Sequence, residues 1–95
     1  MTLSTNEIHN HRRYCLLKGR IHEAREEGGI AFAWYGKQIE AAGTALPASI
    51  PYQTELAAGR YTTIEDLDGA DEAELVDFGL KQKQAAEVLK ALSLL

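Results

Sequence analysis

The fold of this chain turns on two short stretches, Tyr61-Thr62-Thr63-Ile64-Glu65-Asp66-Leu67 and Phe78-Gly79-Leu80-Lys81. Thr62 and Glu65 have the spacing of a capping box, in which a hydroxyl and a carboxylate reciprocally satisfy the free amides of a helix start. A helix of one or two turns is expected there, ending near Gly69. Asp71 with Glu74 three residues on, and Ala70 and Leu75 at staple positions, starts another helix. Phe78-Gly79-Leu80 must end that helix and open the next within about three residues. Gly79 is therefore expected in a left-handed or otherwise glycine-favoured conformation. The next helix, 81–92, should bury Ala85, Val88, Leu89 and Leu92.

Working outward, Leu46-Pro47-Ala48-Ser49-Ile50-Pro51 reads as a linker. Its prolines remove two backbone donors and push the residues before them into extended conformations. A short helix should follow over 51–58, closed by Gly59.

The N-terminal half reads as helix. Ser4 and Glu7 form a second capping box, with Leu3 and Ile8 placed as its hydrophobic staple. From there Tyr14, Leu17, Ile21, Ala24, Gly28, Ala31 and Tyr35 recur in steps of three and four, the spacing of a coiled-coil seam. The register crosses Gly28-Gly29 without slipping, so one long helix over 5–42 is expected, about 57 Å at 1.5 Å per residue. The rival is a helical hairpin broken at the glycines, which cost about 2 kcal/mol against alanine. Glu26 and Glu27 weigh against a break, because a helix C-terminus prefers cations. Gly43 then stops the helix. The expected fold class is all-α: a helical arm over 1–45, a linker over 46–51 and a compact domain of short helices over 52–95.

Ala31, Ala33, Gly36, Ala41 and Ala42 would let another backbone approach closely, with Phe32, Trp34 and Tyr35 as large anchors. So few residues remain to cover this helix that a partner is expected on it. The expected interface comprises Tyr14, Leu17, Ile21, Ala31, Phe32, Trp34 and Tyr35.

The chain has 95 residues, 45% of them hydrophobic and 25% charged, and a formal charge of −4. These values exclude wholesale disorder, and a single cysteine excludes an internal disulfide framework. No apolar run approaches the roughly 18–20 residues of a membrane span, and no signal-peptide core is visible. A soluble protein is expected, intracellular or within a viral particle, with no membrane partner and no small-molecule substrate. Acidic side chains concentrate after residue 56, while 9–25 is locally basic with Glu23 its only acid. Such halves are suited to pairing head-to-tail between copies, with Arg12, Arg13, Lys18, Arg20 and Arg25 as the basic side.

Chemistry-bearing motifs are sparse. His11, Cys15, His22 and Glu26 lie near one helical stripe, but Cys15 and His22 are separated by about 10 Å along a helix axis. One ion cannot bridge them all, and only the half-sites His11–Cys15 and His22–Glu26 remain. There is no phosphate loop, dinucleotide fingerprint or metalloprotease motif. No catalytic residue, no metal and no cofactor is expected, and the chain is read as a non-enzyme.

The order of short helices around Tyr61–Leu67, the Gly79-Leu80 hairpin and the longer helix after it resembles the helix-hairpin-helix superfamily over about 56–92. The nearest likenesses are the N-terminal domain of strand-exchange recombinases and the C-terminal domain of the RNA polymerase alpha subunit. Sterile-alpha-motif domains, which mediate protein contacts, give a similar pattern. In the superfamily the hairpin reads Gly-hydrophobic-Gly, and its amides cradle a phosphate at the next helix N-terminus. Gly79 and Leu80 match the first two positions, and Ala85 and Val88 match small and apolar positions of the following helix. Lys81 replaces the second glycine, which restricts close backbone approach. The resemblance thus implies a helical docking or phosphate-binding unit, with Gly79, Lys81 and Lys83 as the phosphate contacts in the second case. The surrounding carboxylates weigh against unaided nucleic-acid binding.

Two functions are therefore expected in order. The first is a structural or assembly protein docking on protein subunits, its own copies or others, through the N-terminal helix and the small domain. A large particle such as a viral head or tail is one setting. The alternative is a nucleic-acid accessory protein touching the phosphate backbone through 79–83.

Overall fold

The computed structural model describes residues 10–95. Among them lie six helices: α1 (His11–Ala24), α2 (Gly28–Glu40), α3 (Gln53–Ala58), α4 (Ile64–Leu67), α5 (Glu72–Asp77) and α6 (Gln82–Ser93). The only extended pairing among the described residues is an isolated bridge between Ala45 and Thr63, so the fold is all-α. The chain divides into two compact units at the Gly43–Thr44 junction. The expected capping box at Ser4 and Glu7, with its staple Leu3 and Ile8, lies outside the described residues.

The single long helix is not formed. α1 and α2 are separate and pack extensively against each other as a hairpin. The break falls just before the glycines, at Arg25-Glu26-Glu27. There the Glu26 N–H donates to the Glu23 carbonyl (3.0 Å) and the Glu27 N–H to the His22 carbonyl (2.9 Å). These two bonds are those of a Schellman motif, which requires a left-handed residue at the turn. Glu26 takes that position, with φ 61°. The continuous reading assumed that two carboxylates would disfavour a C-terminus. The turn is so tight that they also stand at the N-terminus of α2, where the helix dipole favours them. Gly28 and Gly29 are the first two residues of α2 rather than interior weak points. Because a left-handed residue other than glycine costs roughly 1–2 kcal/mol, Glu26→Gly is expected to raise stability by about 0.5–1 kcal/mol. A lower melting temperature would contradict this assignment of the turn.

Inside the hairpin, Cys15, Leu16, Leu17, Ala31 and Tyr35 are buried. Tyr14 meets Trp34 edge-on, with centroids 5.8 Å apart. α1 begins at Asn10, whose side chain accepts from the Arg13 N–H at 3.2 Å. The Arg12 guanidinium donates to the Ala41 carbonyl at 2.7 Å. It thus satisfies a carbonyl at the end of α2, where a cation is favoured.

In the second unit the core is Ile50, Leu56, Tyr61, Leu67, Leu75, Leu80, Ala85 and Val88. Residues 46–51, expected as a linker, belong to this unit and send Ile50 into its interior. Gln53 Nε2 donates to the carbonyls of Pro47 and Ile50, holding that turn against α3. The capping box at the start of α4 is shifted by one residue from expectation. Thr63 is the N-cap and Asp66 its partner, with Thr63 Oγ1 accepting from the Asp66 N–H at 3.3 Å. Glu65 instead accepts from the Thr44 N–H (2.8 Å) and hydroxyl (2.8 Å). Asp71 caps α5 by accepting from the Glu74 N–H at 2.8 Å. Of the face expected to be buried on α6, Ala85 and Val88 are fully enclosed, while Leu89 and Leu92 are half-buried.

Candidate interaction face

α2 has more apolar surface than one neighbour covers. At 100° per residue, Ala31, Tyr35 and Gln38 share one face, and all three are buried. About a third of a turn away runs a second stripe, Gly29, Phe32, Gly36 and Ile39. Phe32 is 74% exposed and Ile39 70%. A methyl group added at Gly29 or Gly36 would meet nothing within 4 Å. No charged residue stands on this stripe. At the same 100° per residue Glu40 and Ala33 border it, while Ile30, 48% exposed, lies across the helix near Lys37. A solvated helix face of an ordinary domain carries polar residues at such positions, so a contiguous apolar stripe of this kind is a candidate interaction face.

The residues expected at a partner interface fall into three groups. Leu17, Ala31 and Tyr35 are buried within the chain, because the hairpin turns the seam inward. Tyr14, Ile21 and Trp34 are half-buried. Lys18 and Lys37 stand over the Trp34 ring, 5.7 and 4.6 Å from its centroid. Such cation–π contacts shield the indole while their ammonium groups stay in water. Phe32 alone among the seven is broadly exposed. Ile39 escaped the sequence reading, and Gly36 was read only as one of several small residues, because the dominant seam, in the register of Ala31 and Tyr35, masked a second stripe beside it.

The basic arm is also changed. Arg12 and Arg13 are buried, Arg13 to 1% exposure, and so present no surface for an acidic partner. Arg25 is exposed, and Lys18 and Arg20 are half-buried. Tyr35 donates its hydroxyl to Glu23, which ties that acid to the hairpin.

The half-site residues do not assemble further. Cys15 Sγ lies 3.7 Å from His11 Nε2, and His22 Nδ1 meets Glu27 Oε1, rather than Glu26, at 3.1 Å. Among the described residues no group of three or more His, Cys, Asp or Glu is placed to hold a metal ion. Burial pushes the Cys15 thiol above its ordinary range, and nearby Lys37 and Arg12 only partly offset this. The thiol should therefore resist disulfide reagents at pH 8 in the folded chain and react rapidly in urea. Above the ordinary thiol range the unfolded state ionises first, so stability falls as pH climbs there. Rapid labelling of the folded chain would contradict the burial.

At the hairpin of the second unit, Gly79 has φ +119°. Its Cβ position is open, so the restriction is purely one of backbone. Gly79→Val should destabilise the unit by about 1–3 kcal/mol, and an unchanged melting curve would contradict this. Leu80 is buried, while Lys81 and Lys83 are exposed. The Lys81 N–H donates to Gln84 Oε1 at 3.0 Å, which occupies one of the amides that a phosphate would use. Beside this helix start lies an open depression of about 410 Å³ lined by Glu72, Ala73, Val76, Asp77 and Gln82. Its two carboxylates repel phosphate. Farther along α6, Glu87 accepts from the Tyr52 hydroxyl at 2.6 Å, and this bond raises the Tyr52 pKa.

No helix among the described residues is long and apolar enough to cross a membrane. No family model, curated protein or solved structure matches this chain.

Proposed function

We propose that this chain is a non-enzymatic assembly protein that docks on protein subunits through the uncovered face of α2. The observation that carries this reading is the exposure of Phe32 and Ile39 on one stripe with Gly29 and Gly36. Burying a phenyl and a sec-butyl side chain contributes roughly 1.5–3 kcal/mol each, and the glycines let a partner backbone come close enough to collect it. The second unit is read as a degenerate hairpin domain used for packing. Its exposed carboxylates Asp68, Asp71 and Asp77 keep the surface soluble or meet a basic subunit.

The test is a photo-crosslinking residue placed at position 32 of the full chain in its own cells. A discrete protein adduct, lost when Ile39→Glu is added, supports docking at this face. Crosslinking no greater than from the exposed position 55 would overturn it.

Nucleic-acid binding is the second reading, favoured by the glycine-specific backbone at Gly79 and the exposure of Lys81 and Lys83. No duplex binding is expected at about 0.15 M salt, where screening acts beyond about 8 Å. Salt-sensitive binding abolished by Lys81→Ala/Lys83→Ala would reverse the ranking.

A further inference from the structure

The stripe on α2 has an order as well as a composition. Reading along it, the residues alternate small, large, small, large: Gly29, Phe32, Gly36, Ile39. In heptad terms the two glycines occupy one seam position and the two large residues the other. An antiparallel copy of the same helix, related by a two-fold axis near residue 34, pairs Gly29 with Ile39 and Phe32 with Gly36 throughout. Every large side chain then meets the open space above a glycine, where nothing lies within 4 Å. A parallel copy would set Phe32 against Phe32 and leave a void between opposed glycines. The antiparallel order also sets the two helix dipoles in opposition, which is the favourable arrangement.

We propose that the occupant of this face is a second copy of the chain, paired antiparallel α2 to α2 along Gly29, Phe32, Gly36 and Ile39. The proposal rests on the docking reading above and names its partner. A contact along one stripe of two 13-residue helices buries less than the roughly 1,200 Å² of a standard interface. The dimer is therefore weak and concentration-dependent, and it strengthens when copies are gathered in an assembly. The same geometry makes an electrostatic statement. The antiparallel order carries Glu40 of one copy toward Glu26 and Glu27 of the other, whereas a parallel order carries it toward the other Glu40.

Sedimentation equilibrium of the full chain between about 10 µM and 1 mM, the range of weak interfaces, reads this out. The expected result is a monomer–dimer equilibrium weakened at least about tenfold by Phe32→Glu, a loss of about 1.4 kcal/mol. Gly36→Leu should weaken it as well while leaving the monomer folded, because leucine is the better helix former and its site is open. Glu40→Lys should tighten the dimer in the antiparallel order, and a weaker dimer with that variant would overturn the order. A monomer throughout, or a dimer indifferent to Phe32→Glu and Gly36→Leu, would overturn the proposal. The position-32 crosslink separates the two failures. A monomer that still gives a discrete adduct with a different protein overturns self-pairing and leaves docking standing, whereas a monomer with no adduct overturns both.

Discussion

Gly19→Ala is expected to destabilise the first unit by about 2 kcal/mol, although alanine is the better helix former by about 1 kcal/mol. The new methyl carbon would lie 2.6 Å from Cδ1 and 3.0 Å from Cζ of Tyr35, and closer still to Cε1. No real carbon tolerates such separations, so the ring or the helix must move. The ring has little freedom: it is buried, and its hydroxyl is held by Glu23. Overpacking of this kind costs about 1–3 kcal/mol and occasionally more, enough to exceed the propensity gain. Gly19→Val, bulkier and β-branched, should be worse. Urea unfolding checks both. The pair Gly19→Ala/Tyr35→Ala should cost less than the sum of the two single losses, because the two residues are in contact and their effects cannot add. A Gly19→Ala chain as stable as the parent would mean that α1 and α2 do not approach at this point.

Asp66→Ala is expected to cost the second unit about 2–4 kcal/mol. Asp66 is fully buried. Its Oδ2 accepts from the Thr62 N–H (3.0 Å), the Thr63 N–H (3.1 Å) and the Thr62 hydroxyl (3.3 Å). Alanine removes the acceptor and leaves donors enclosed without one, which is the expensive half of a hydrogen-bond deletion. It also removes the reciprocal half of the capping box that starts α4. Asp66→Asn retains one acceptor oxygen and should lose less. Chemical denaturation followed by circular dichroism gives both values, and a loss under about 0.5 kcal/mol for alanine would contradict the buried network.

The second unit was largely legible because its helix boundaries are set by local chemistry. Asp71 and Glu74 are three residues apart, and a carboxylate at that spacing caps whatever the rest of the chain does. Gly79 had to turn the chain, and no other residue type nearby could. The one-residue error at α4 has a physical cause. Thr62 and Thr63 are chemically alike, and both Glu65 and Asp66 can complete a box. The choice was made by burial of Asp66 and by a tertiary bond from Thr44 to Glu65, neither of which local spacing contains.

The first unit was misread where tertiary packing decided. A seam that runs through Gly28 without slipping is equally consistent with one helix and with two that fold back. Glu26 in a left-handed conformation is a poor local choice, stabilised by the contacts of the hairpin it permits. Gly19 gave no signal as a glycine inside a helical pattern, since its role appears only when Tyr35 is laid across it. The candidate face was half legible. Phe32 was named for its size, but Ile39 and the glycines beside it became a face only once Ala31 and Tyr35 were turned toward α1.

The outer face of α2 exists only because the chain turns back at Arg25–Glu27. The distance between spin labels at the exposed positions 11 and 40, attached through His11→Cys and Glu40→Cys in a Cys15→Ala background, measures this directly. The hairpin brings these ends together, as the bond from Arg12 to the Ala41 carbonyl requires, and predicts a separation under about 20 Å even with label tethers. One continuous helix would hold them roughly 44 Å apart at 1.5 Å per residue. A distribution centred near the longer distance would contradict the hairpin, and with it the docking face.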